Sequence, residues 1–360
     1  MVERARGARQ GLVAALVPEL MAVGCAVPGF LPSGEATRAR NVILISGDGM
    51  GPAHIEAARR DSSAGLELDR LELRGRMVTG PPDDPDEKVT DSAAAATAWS
   101  TGSRTSNGSV GVDADGDPLP TFGRAAEAAG RATGLVTTTS VTDASPAAFF
   151  ASVTDRTLES RIARQYVDGG GPDVILGGGR DVWSSDDLLD RARAAGYRYA
   201  DDAEALAAAG DGKVLGLFAD EEMWKSSRGR APSLATLTTA ALVRLSADPD
   251  GFFLFVEEER VDEASHANDD DAMLAAMRNL DEAVGVARRF ADANPETLLI
   301  VTGDHETGGL SVDDAGLRWS TGDHTDVPPP VLAVGPGSDA LAGEWPNTRL
   351  HDALTAVIPA

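Results

Sequence analysis

The 360-residue chain is poor in cysteine, lysine, histidine and aromatic side chains. A single cysteine, Cys25, excludes any intramolecular disulfide. Lysine occurs only at positions 88, 213 and 225. Lys plus Arg total 32 against 57 Asp plus Glu, a formal net charge of -25. So few cations argue against nucleic acid as a partner, because binding it requires neutralising phosphates. The dense carboxylates leave two readings open: a well-solvated surface with compositional bias, or adaptation to high salt. Beyond the first thirty or so residues, no segment approaches the ~20 apolar residues that cross a bilayer.

What remains is an ordinary globular balance, 42% hydrophobic and 25% charged, with ample apolar material for a large core. At the start, Arg4, Arg6 and Arg9 precede a mostly apolar stretch from Gly11 to Val27. Basic, then apolar, then small residues is the order of a secretory signal, expected over residues 1–32. Ala22-Val23-Gly24-Cys25 resembles a bacterial lipoprotein cleavage site, which would make Cys25 a lipid anchor and the protein exported. Pro18 and Glu19 interrupt the apolar stretch, so an unstructured arm or a misassigned start is the alternative. Residues 33–40 are expected to be a linker, and residues 41–360 a single catalytic domain.

Short apolar runs of the kind that suit strands covered on both faces recur along that domain. They fall at 41–45, 134–139, 174–176, 214–218, 252–256, 298–302 and 331–334. Helical patterns lie between several of them, at 92–99, 122–129, 158–167, 234–245 and 272–291. The alternation predicts an α/β fold with a largely parallel central sheet flanked by helices. Residues 81–87 and 268–271 are expected to be surface loops, 202–212 to be peripheral, and 167–233 to form a reduced peripheral region.

Ligands of such sheets bind beyond the carboxyl ends of the strands. The first predicted strand runs into Asp48 among glycines. The run at 252–256 is followed by Glu257, Asp262 and His266, and the run at 298–302 by Asp304 and His305. Asp262 and His266 are four apart, on one face of a helical turn. A third Asp-His pair, Asp323-His324, follows a glycine-containing loop. Mixed imidazole and carboxylate donors suit zinc, and an all-oxygen site suits magnesium. His54 and His351 lack such company and are expected to be surface or packing residues. In Thr90-Asp91-Ser92-Ala93, Thr90 or Asp91 can cap a helix, leaving Ser92 in its first turn, where free N–H groups favour an anion.

Taken in order, these segments resemble the alkaline phosphatase family. The resemblance is carried by Gly47-Asp48-Gly49-Met50-Gly51, Thr90-Asp91-Ser92-Ala93-Ala94, Thr142-Asp143-Ala144-Ser145-Pro146 and Val256-Glu257-Glu258-Glu259-Arg260-Val261-Asp262. Downstream it continues in His266-Ala267, Thr302-Gly303-Asp304-His305-Glu306-Thr307-Gly308-Gly309 and Gly322-Asp323-His324-Thr325. It implies that fold, an alkaline-phosphatase-like sandwich, and phosphomonoester hydrolysis through a phosphoserine at Ser92. It implies one zinc held by Asp262, His266 and His324, and a second by Asp48, Asp304 and His305. Asp48, Ser145 and Glu257 would hold a magnesium, with Asp143 behind it, and Arg156 would bind phosphate.

Two departures stand out: Ser145 where threonine is common, and Glu263, where a carboxylate would repel phosphate. Small phosphate monoesters are the expected partners, and a homodimer is left open. A phosphodiesterase or another hydrolase on the same scaffold is the alternative. A sulfatase is disfavoured because Ser92-Ala93-Ala94 lacks a Pro and Arg signature.

Overall fold

The computed structural model describes residues 38–80, 89–226 and 231–357, with no side-chain description at Val357. The export signal, Cys25 and the 81–87 loop therefore lie outside the described residues.

The strands, in chain order, are Asn41–Gly47 (β1), Glu72–Val78 (β2), Ala132–Ser140 (β3), Val174–Gly178 (β4), Arg198–Ala200 (β5), Val214–Leu217 (β6) and Phe252–Glu258 (β7). They continue with Thr297–Thr302 (β8), Glu306–Thr307 (β9), Ser311–Asp313 (β10), Gly316–Arg318 (β11), His324–Thr325 (β12), Pro330–Val334 (β13) and Gly343–Pro346 (β14). Ten of them form one sheet in the order β14-β2-β13-β8-β1-β7-β3-β4-β6-β5. β13 pairs antiparallel with both neighbours; the other pairings are parallel.

The central strands carry continuous apolar runs, and both of their faces are covered. Along β1, Val42 and Leu44 pack into one core, and Ile43 and Ile45 into the other, all fully buried. Burying each such side chain contributes ~1.5–3 kcal/mol relative to leaving it exposed. The helix Asp270–Ala293 covers one face with Met273, Met277, Leu280 and Val284, each fully buried in the core that holds Ile43 and Ile45. The helix Ser92–Thr101 lies on the other side, where alanines at 93, 95, 96 and 98 let its backbone pack closely.

The expected helices are all present, displaced at their ends by no more than two residues. Two expectations are corrected. Residues 268–271 are not wholly loop: Asp269 accepts from the Ala272 amide as an N-cap, and Asp270 and Asp271 occupy the first helical turn, where carboxylates suit the dipole. The segment 167–233 is not peripheral to the sheet, since it supplies β4, β5 and β6.

Register brings the chemistry to one rim. Ser46 lies opposite Glu257 of β7 and Thr302 of β8, and Gly47 lies opposite Glu258. Asp48, Glu257 and Gly303-Asp304 therefore emerge at the same edge of three adjacent strands.

Candidate active site

The turn after β1 is shaped around its neighbours. Gly49 has φ +70°, and a Cβ there would stand 2.7 Å from Asp262 Oδ1 and 2.8 Å from Thr307 Oγ1. Its amide donates to Asp304 Oδ1 at 3.0 Å. Only glycine lets the β1 turn approach the other carboxylates this closely.

Asp48, Asp304 and His305 converge there, all buried. His305 Nε2 lies 3.3 Å from Asp304 Oδ2 and 3.6 Å from Asp48 Oδ1. Neither Asp48 Oδ1 nor Asp304 Oδ2 has a hydrogen-bond partner. Burial, then the charges of Asp304 and Asp262, push the Asp48 carboxyl well above its usual range.

A second group adjoins it. Asp262 Oδ2 is 3.2 Å from His266 Nε2, Asp262 Oδ1 is 3.6 Å from His324 Nε2, and the two Nε2 atoms are 3.1 Å apart. His324 stacks on His305 with ring centroids 3.6 Å apart. Against burial, the hydrogen bond with His266 and the charges of His305 and His324 hold Asp262 well below the usual carboxylate range. His266, through its bond with Asp262, is raised to about 9. Burial, with His305 beside it, lowers His324. The far-off His324 is delivered by a short antiparallel pairing, β12 with β9, that sets it opposite Thr307.

Ser92 opens its helix behind the cap of Asp91, whose side chain accepts from the Ala94 amide at 2.9 Å. Asp91, not Thr90, is the cap. Ser92 Oγ lies 3.2 Å from His305 Nε2. Arg156 donates to Asp143 Oδ1 at 2.8 Å and to Asp91 Oδ2 at 3.4 Å. Burial alone would lower its pKa, but Asp143 and then Asp91 hold it above the usual value.

The third group sits under β7 and β3. Thr137, opposite Glu257 in the ladder, donates to Glu257 Oε2 at 2.7 Å. Burial raises Glu257 to about 8. Ser145 is 2% exposed and stands beside Glu257, yet its hydroxyl makes no bond of normal geometry. The structure thus brings every residue singled out at the rim into adjoining clusters. Carboxylate, imidazole and hydroxyl donors crowd together, and three of their buried oxygens lack partners. That donor set fits metal ions, mixed imidazole and carboxylate groups suiting zinc and all-oxygen groups suiting magnesium.

Several contributors were not singled out in the sequence. Thr307 donates to Asp262 Oδ1 and contacts His305 Nδ1 at 3.2 Å. It sits inside the motif after β8, the one signal that could have found it. Lys225 Nζ faces Glu263 Oε1 at 3.7 Å and Glu222 Oε1 at 3.1 Å, so the half-exposed Glu263 is not an isolated negative charge. His54 and His351 are packing residues. His54 is fully buried, with Nδ1 accepting from the Gly51 amide and Nε2 bonded to Ser265 Oγ at 3.0 Å. His351 Nδ1 bonds the Ser100 carbonyl at 3.0 Å.

A sequence profile described as alkaline phosphatase matches residues 39–316. The chain belongs to the alkaline phosphatase family. It is 39% identical to the streptomycin-6-phosphate phosphatase of Streptomyces griseus, over 89% of this chain and 90% of that protein. It is 38% identical to alkaline phosphatase 4 of Bacillus subtilis, over 78% of this chain and 64% of that protein, so it spans just under two thirds of that relative's length. The cold-active alkaline phosphatase of a psychrophilic Shewanella superposes with a TM-score of 0.83 at 31% identity, covering 89% of this chain and all of that one. A mutant of the Antarctic bacterium TAB5 family member, at TM-score 0.82 and 30% identity over 90% of this chain and 99% of that one, carries magnesium in what is called its M3 site.

Proposed function

We propose that the chain hydrolyses phosphate monoesters to alcohol and inorganic phosphate through a phosphoserine at Ser92. The observation that carries this reading is Ser92 Oγ, buried at a helix N-terminus 3.2 Å from His305 Nε2, the imidazole that adjoins both Asp-His groups. Ser92 Oγ bonds to phosphorus as the ester oxygen departs, and water then displaces the serine with release of phosphate. Arg156, anchored by Asp91 and Asp143, keeps N–H donors beyond those two bonds for the phosphoryl oxygens. Asp262, His266 and His324 would hold one zinc, Asp48, Asp304 and His305 the other, and Asp48, Ser145 and Glu257 a magnesium. When bound, these ions supply the positive charge that lets an anionic attacker approach a dianionic ester, and they lower the pKa of the attacking hydroxyl. Asp143 would orient Arg156 and stand behind the magnesium.

The test is metal analysis of the purified protein together with turnover of p-nitrophenyl phosphate against its bis-ester, and acid trapping of labelled phosphate. Label on Ser92 with monoester turnover supports the reading. Faster diester turnover would replace it with a phosphodiesterase. A second reading concerns the leaving group: similarity to a streptomycin-6-phosphate phosphatase, together with the net charge of -25, favours cationic alcohols. It is tested by comparing kcat/KM for amino-sugar and neutral sugar phosphates at low salt. Export, with Cys25 as the anchor of a single domain over 41–360, is checked by fractionation and by mass spectrometry of the mature N-terminus.

A further inference from the structure

Glu259 follows β7 and has no part in the mechanism above. Its backbone is fixed by the amide, which donates to Thr138 Oγ1 at 3.1 Å; the same hydroxyl donates to Glu258 Oε1 at 3.0 Å. Its Oε2 is shut off from solvent and has no hydrogen-bond partner. Burial aside, the groups that act on it most strongly are carboxylates: Asp143, Glu257, Asp262 and Glu263. Asp48 feels Glu259 in turn. Among the described residues, Arg156 is paired with Asp143 and Asp91, and Lys225 with Glu222 and Glu263. Two further buried oxygens in the same group, Asp48 Oδ1 and Ser145 Oγ, also lack partners, on residues 3% and 2% exposed.

A desolvated carboxylate oxygen among like charges costs several kcal/mol unless a cation or donor meets it. Glu258, its neighbour in sequence, shows the satisfied alternative: it is buried, and Thr138 and Asn279 both donate to it. We propose that Glu259 is a positioning carboxylate of the magnesium site, accepting from water that the ion retains beside Asp48, Ser145 and Glu257. Magnesium gives up its hydration reluctantly and keeps several waters, which need acceptors. Groups that fix a metal's surroundings in this way change affinity by 10–100-fold when removed. The inference rests on the metal-site reading above.

The experiment titrates the zinc-loaded full chain with magnesium chloride, reading affinity by calorimetry and the shift in Tm. Glu259→Gln should weaken magnesium binding at least tenfold. It should also raise Tm before magnesium is added, because a repulsive charge has gone, and shrink the rise in Tm that magnesium brings. Glu263→Gln, which removes a half-exposed carboxylate nearby, should leave the affinity within twofold. Should Glu259→Gln not fold, Glu259→Asp keeps the charge with a shorter reach and should weaken binding by the same measure. Wild-type affinity in the Glu259 variant, or a loss no larger than in Glu263→Gln, would overturn the role of Glu259 alone. A wild-type protein that takes up no magnesium would overturn the metal-site reading with it.

Discussion

His54 offers a measurement that separates one buried group from the rest of an acidic protein. Its ring is fully buried, and burial lowers its pKa from 6.5 to about 4 despite the charge of Asp262. Above the unfolded value the imidazole is neutral in both states and adds no pH dependence. As pH falls through 6.5 the unfolded chain takes up a proton that the folded chain refuses, so stability is lost progressively down to the folded value near 4. A gap of 2.5 units, from 6.5 to about 4, corresponds at 1.36 kcal/mol per unit to roughly 3.4 kcal/mol as a ceiling. The perturbation is His54→Asn, whose Oδ1 can still accept from the Gly51 amide but which does not titrate. Losing the bond to Ser265 lowers its stability at every pH by about 1–3 kcal/mol. The assay is urea unfolding of the metal-stripped proteins from pH 8 to pH 4, compared as the difference between the two. That difference should be constant above pH 7 and close by about 3 kcal/mol toward pH 4. Carboxylates such as Glu258, which burial raises to about 7, contribute with the opposite sign and cancel in the comparison. Parallel curves across the whole range would refute the argument that His54 is held neutral.

Ser92→Ala should lower kcat for p-nitrophenyl phosphate by several orders of magnitude and abolish acid-stable label; label on another residue would move the nucleophile. His324→Ala should lower zinc stoichiometry and activity together, and full zinc content with full activity would remove His324 from the ligand set. Lys225→Met should raise the inhibition constant for phosphate, Glu263→Gln should lower it, and the double variant should depart from the sum of the two effects; additivity would mean that the pair at 3.7 Å does not act as a unit. Melting temperature of the metal-loaded protein should rise between about 0.1 and 1 M sodium chloride as the Debye length falls from ~10 to ~3 Å, because the net charge of -25 is self-repulsive; a flat or falling curve would end the high-salt reading.

The parts of the fold that could be read from the sequence are those where burial leaves a continuous trace. β1, β7 and β8 are covered on both faces, and their apolar runs declare them. β2, Glu72–Val78, alternates exposed and buried positions and contains Gly75, so no run survives. β14 ends on Pro346, and β5 has three residues. The site divides in the same way. Asp48, Asp304 and His305 follow strands and were visible as groups waiting at strand ends. The contact of His324 with Asp262 depends on a two-residue ladder with Glu306–Thr307, which no local pattern announces. Lys225 meets Glu263 across 38 residues of chain for the same reason: only the fold decides which charges are neighbours.

That local blindness bears on how the site is held together. Asp48, Asp143, Glu257, Glu259 and Asp262 form one electrostatic group, and among the described residues the one arginine paired to it, Arg156, is bound to Asp143 and Asp91. Asp48, Glu257 and Glu259 are all driven upward, chiefly by burial and then by the charge of neighbouring carboxylates such as Asp143 and Asp304. Raised carboxyl pKa values mean that, at neutral pH, the ionised cluster opposes folding rather than supporting it. The sheet and helices hold it in place regardless, because strand register fixes where Asp48, Glu257 and Asp304 emerge and the capped helix fixes Ser92. Cations binding there would remove the repulsion as well as orient the donors, so their binding free energy would be in part folding free energy. The carboxylates that would hold the metals would then also be those through which metal loading acts on stability.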